Sequence, residues 1–113
     1  MTELVYARGT RSAAEVQQDI DRFWDRLDDS DVVQALAEAG VDRRDLPPAG
    51  EREKTVQVSA LGAGLDPTAV ALIVAFAPTA NEILITVWTQ VILPRIRRRY
   101  GRDAVGDQRP PDA

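Results

Sequence analysis

The sequence predicts a mainly α-helical domain. It is α+β with at most a small two-stranded sheet, its amphipathic N-terminal helices covering an apolar C-terminal helical hairpin. Three observations predict it. Residues 13–28 and the stretch before Gly40 place apolar residues at helical spacing behind cap residues. Residues 68–96 hold a single charged side chain, Glu82, before Arg95, with two further cap signals inside or beside the run. Only residues 4–7 and 55–60 carry strand character.

Taken in order, residues 4–7 are a short apolar stretch suited to an edge strand. Ser12-Ala-Ala-Glu15 has the form of a capping box, in which the serine oxygen accepts from a backbone N–H and the glutamate reaches back. Val16, Ile20, Phe23, Trp24 and Leu27 then form one stripe, with Asp19, Arg22, Asp25 and Arg26 on the other face, predicting a helix over 13–28. Asp28-Asp29-Ser30-Asp31 interrupts and restarts the pattern. Ser30 is the expected N-cap, and Asp31 falls in the first turn, where the helix dipole favours an anion. Val32, Val33, Leu36 and Ala37 are expected to face inward, and Gly40 to end the helix in a left-handed conformation.

Residues 41–54 form a polar connector in which Pro47 and Pro48 disfavour helix. Residues 55–60 alternate, with Val56, Val58 and Ala60 on one side of a strand. Its partner is 4–7 or a neighbouring subunit. Gly62-Ala-Gly64 is a loop, and Asp66-Pro67 starts a very apolar helix to about residue 77. Pro78 interrupts it. Thr79-Ala-Asn-Glu82 is a second capping box, opening a helix through Leu84, Trp88, Ile92 and Ile96 that Pro94 kinks. Residues 1–102 are one domain, and 103–113 a disordered polar tail.

Charge divides the chain. Residues 1–66 hold eight basic and fourteen acidic side chains, and residues 67–113 six and four. The net charge of −4 argues against a dedicated nucleic-acid binder. The absence of cysteine and histidine removes disulfides, thiol chemistry, imidazole bases and most transition-metal sites, so neither a cofactor nor a metal is expected. The start of the chain lacks the features of a signal peptide, so a cytoplasmic location is expected, with inner-membrane association as the alternative.

The apolar run allows two structures. As one transmembrane helix over 69–93 it would span the roughly 30 Å hydrocarbon layer, with its arginines cytoplasmic. Its twelve Val, Ile, Leu and Phe side chains favour insertion, but Glu82, Asn81, Gln90 and Pro78 bring the balance near zero. As two helices meeting at 78–82, it uses both caps and needs cover from the rest of the chain or from a second subunit. The caps favour the second structure.

Individual candidates are each weighed against plainer roles. Glu82 fits a cap better than a buried catalytic carboxylate, and Asp66 likewise. Gly62-Ala-Gly64 lacks the further residues of a dinucleotide or phosphate loop. The acids between Asp19 and Asp31 do not match a calcium loop and suit a charged helix face. Trp24 and Trp88 are core or interface residues. Arg95, Arg97, Arg98, Arg99 and Arg102 form a basic patch suited to a lipid headgroup, to a partner, or to a solvated helix end.

Residues 46–100 combine a Pro-containing spacer, a short strand at 55–60, a Gly-interrupted turn, an apolar helix and the arginine-rich end at 95–99. In this they resemble small actinobacterial components encoded beside effectors in bacterial conflict systems, including anti-phage defence. The resemblance implies an adaptor or recruitment role.

The expected function is therefore a non-enzymatic, self-associating interaction or adaptor module. It would use helices within 67–99 and meet a second copy or another protein through Val74, Leu84, Trp88 and Ile92. The alternative is a small membrane-inserting effector that uses 69–93.

Overall fold

The computed structural model describes residues 2–48, 50–61, 71–78 and 81–109. Helix α1 (Ala13–Asp25) starts at the predicted capping box: Ser12 Oγ accepts from the Glu15 N–H at 3.2 Å, and the Ser12 N–H donates to Glu15 Oε1 at 3.0 Å. Its stripe of Val16, Ile20, Phe23 and Trp24 is buried. The chain turns over a buried Leu27 into α2 (Ser30–Glu38). Here the N-cap is Asp29 rather than Ser30, and it makes no side-chain cap bond. Val32 and Leu36 face the core as expected, Val33 and Ala37 are exposed instead, and Gly40 follows the last turn at φ +76°.

The sheet overturns the expected fold class. Residues expected in the first arm of the helical hairpin contain a strand, β3 (Ala71–Phe76), which pairs antiparallel with β1 (Thr2–Ala7) on one side and with β2 (Val56–Leu61) on the other. A two-residue strand, β4 (Gln108–Arg109), pairs with the far side of β1, giving the order β2-β3-β1-β4. The protein is α+β with three full antiparallel strands and a short fourth, not mainly helical with a two-stranded sheet. Residues 4–7, expected at an edge, lie inside the sheet. The reason is physical. An inner strand that is apolar on both faces reads as an unbroken apolar run, and such a run carries no period to separate strand from buried helix. The expected caps at Asp66-Pro67 and Thr79, and the Gly62–Gly64 loop, lie outside the described residues.

Tyr6, Leu72, Val74, Phe76 and Val56 occupy one face of the sheet, as the strand register requires, and join the buried residues of the helices in one core. Helix α3 (Asn81–Val87) runs through a π-helical turn (Trp88–Ile92) into α4 (Leu93–Tyr100). Pro94 accounts for the wide turn. It has no N–H for the Gln90 carbonyl, and its ring needs room there; the Leu93 N–H instead reaches the Trp88 carbonyl. Where a kink was expected, the helix carries this π-helical turn. No described helix is long and apolar enough to cross a membrane.

Residues 103–109, expected within a disordered tail, pack against β1. Ala104 and Val105 are buried, the Ala7 N–H donates to the Asp107 carbonyl at 2.9 Å, and the Gly106 N–H donates to the Ala7 carbonyl at 3.0 Å. Two glycines permit this approach. A Cβ on Gly9 would lie 2.3 Å from the Asp103 and Ala104 carbonyl oxygens, and one on Gly106 2.5 Å from that of Ala7.

Candidate functional site: an arginine-lined groove

The four residues expected at an interface are core residues. Val74, Leu84, Trp88 and Ile92 are each at most 2% exposed within the single chain. Val74 sits between β1 and β2, and the others lie on the inner side of the 81–100 helix, so intrachain packing already covers them. Trp24 is buried as well, and its indole N–H has no partner among the described residues.

The basic patch separates into parts with different surroundings. Arg97 turns toward the C-terminal segment and donates to the Gly106 carbonyl at 2.9 Å and the Val105 carbonyl at 3.3 Å. Arg102 is exposed on the turn after α4. Arg95, Arg98 and Arg99 line a groove of about 280 Å3 between α1 and α4.

The opposite wall comes from α1. Arg22 and, one turn on, Arg26 face the α4 arginines, and Phe23, Ile92 and Ile96 supply apolar lining. Five arginines thus meet two acids, Asp19 and Asp31. Helical spacing produces this wall: positions 19, 22, 23 and 26 fall on one side of α1. In the sequence Arg22 and Arg26 flank Phe23, but beside Asp19 and Asp25 they read as a solvated helix face. Nothing local told that α4 would bring three more arginines opposite them.

The acids hold the ends of the groove. At one end Arg11 makes a paired contact with Asp19, at 2.9 and 3.0 Å, and its guanidinium lies 3.8 Å from the centre of the Tyr100 ring. Burial opposes the charge on Arg11, yet the Asp19 contact leaves its pKa raised. At the other end Arg95 donates to Asp31 at 3.0 Å, and this bond holds the Asp31 carboxyl below its ordinary range. Between them the arginines are less engaged. Arg22 approaches Asp19 only at 3.9 Å, and Arg99 lies 5.4 Å from the Tyr100 ring centre. The side chains of Arg26 and Arg98 have no hydrogen-bond or ion-pair partner among the described residues.

Chemically, this arrangement supplies donors and positive charge above a nearly buried apolar floor, with Phe23, Ile92 and Ile96 each at most 5% exposed. Guanidinium groups bind carboxylates in bidentate fashion, so the groove suits an anionic ligand with an apolar portion. No group of three or more acidic side chains is placed to hold a metal ion among the described residues. The chain matches no protein family, no curated protein and no solved structure with which it was compared.

Proposed function

We propose that the chain is a non-enzymatic protein-interaction module whose groove between α1 and α4 docks an acidic segment of a partner protein. One observation carries this reading: five arginines from two helices converge around Phe23, Ile92 and Ile96, with Arg26 and Arg98 left unpaired among the described residues. Concentrating like charges in one groove raises the local potential, and an acidic segment relieves it. The adaptor role expected from the sequence is retained, but its surface moves from the buried residues 74, 84, 88 and 92 to the arginine groove.

Fluorescence anisotropy with a labelled short Glu/Leu peptide tests the reading. Binding should weaken as salt rises. The Arg26→Glu/Arg98→Glu variant should lose about tenfold or more in affinity. Arg43→Glu should leave affinity unchanged, because Arg43 pairs with Asp28 and does not line the groove. Equal binding by all three proteins would rule out the groove.

A further inference from the structure

The Asp31–Arg95 ion pair stands between two grooves. The second lies between α2 and the helix that carries Gln90 and Pro94, and has a volume of about 450 Å3. Asp31, Arg95 and Arg98 line both grooves. We propose that Asp31 is an internal stand-in for a carboxylate of the partner: the docking segment takes its place on Arg95 and runs from one groove into the other. This inference rests on reading the α1–α4 groove as a docking surface for an acidic protein segment.

The geometry supports displacement. The Asp31 side chain is 65% exposed and that of Arg95 31%, so water reaches both partners and the pair is weak enough to exchange. Asp31 lies in the first turn of α2, where the helix dipole keeps it stable after it loses Arg95. Arg98, unpaired among the described residues and shared by both grooves, supplies a second guanidinium to the incoming carboxylate.

The linings also order the ligand. An apolar side chain belongs in the first groove, against the arginine stems, Tyr100 and the small exposed edges of Phe23 and Ile96, and an acidic one belongs at Arg95 and Arg98. The second groove carries Gln34, Glu38 and Gln90, and no arginine beyond the shared two. Glu38 repels a second acid there, so a neutral polar or basic residue follows. The inferred partner segment therefore carries an acidic residue flanked by an apolar residue on one side and a neutral polar or basic residue on the other.

A labelled peptide of that pattern, a control of the same composition with its acidic residue moved to one end, and the variants Asp31→Asn, Arg95→Gln and their combination test this by anisotropy. Asp31→Asn should tighten binding of the first peptide about two- to fivefold, the range set by an exposed ion pair. In the Arg95→Gln background the same substitution should change nothing. A gain that persists in that background would mean general electrostatics and would overturn displacement. So would unchanged or weaker binding by Asp31→Asn while Arg26→Glu/Arg98→Glu still abolishes it; the docking reading would then survive alone. Equal affinity for the peptide and its acid-displaced control would overturn the central place of the acidic residue. No binding of either peptide to the unmodified protein would end both readings.

Discussion

The Trp88 indole N–H donates to the Tyr6 hydroxyl at 2.9 Å, joining the long C-terminal helix to the inner strand β1 across 82 positions of sequence. The rings meet edge to face at 5.9 Å, and both side chains are at most 1% exposed. Burial pushes the Tyr6 phenol pKa up, and the bond from Trp88 offsets only part of that. Tyr6→Phe removes the acceptor and leaves a buried N–H without one. A loss of about 1–3 kcal/mol is expected. Urea unfolding of Tyr6→Phe, Trp88→Phe and the double variant should give a coupling of about 0.5–3 kcal/mol. Strictly additive losses would mean that the two side chains pack independently.

Gly9 admits the C-terminal segment. A methyl group there meets two carbonyl oxygens of residues 103 and 104, which are backbone atoms and cannot swing aside. Gly9→Ala should cost about 1–3 kcal/mol through overpacking. The Thr10 and Arg11 amides, which donate to the Asp103 and Ala104 carbonyls at 2.8 and 3.1 Å, should exchange hydrogen faster than those of α1. Protection unchanged at both amides would contradict the close approach.

Gln17 shields the outer edge of β2. Its side-chain amide donates to the Val56 carbonyl at 3.1 Å and accepts from the Val58 N–H at 2.8 Å, doing for that edge what a neighbouring strand would do. Strand β2 has no charged residue and no proline to discourage edge pairing. Gln17→Ala should lower stability by about 1–2 kcal/mol and promote concentration-dependent association, followed by light scattering. A stable variant that scatters like the unmodified protein would show the edge to be protected by other means.

Acid should loosen α1 through Glu15. Its carboxyl pKa is lowered, first by the Ser12 backbone N–H and then by the Ser12 hydroxyl, with Arg11 adding to this. A folded pKa below the unfolded one stabilises the fold above the unfolded value, and that contribution disappears as pH falls through the folded value. Thermal midpoints should therefore fall between about pH 5 and pH 2, and less steeply in Glu15→Gln. Ser12→Ala should remove the cap at a cost of about 1 kcal/mol. Identical acid slopes with and without the carboxylate would exclude Glu15 as a contributor.

The capping box at Ser12, the stripe from Val16 to Phe23 and the left-handed Gly40 were legible because each depends on residues within a few positions of one another. The site was half legible. Arg95, Arg98 and Arg99 stood out as a cluster, whereas Arg22, Arg26 and Asp31 looked like ordinary charges on helix surfaces. Their common purpose depends on α1 and α4 lying side by side, a relationship between segments some seventy positions apart. Asp103 to Asp107 looked like tail by composition, yet carbonyls placed against Gly9 and β1 hold them.

The sequence by itself determined where α1 begins, which of its faces is buried, where α2 ends and that positive charge gathers after Pro94. These are local properties of capping, helical period and backbone freedom. Only the tertiary structure decided that Ala71–Phe76 is a strand and that the apolar residues 74, 84, 88 and 92 are covered within one chain. An all-apolar run satisfies helix and strand alike. The choice was made by β1 and β2, which offer backbone hydrogen bonds on both sides of β3, and by the helices that close over one face of the sheet.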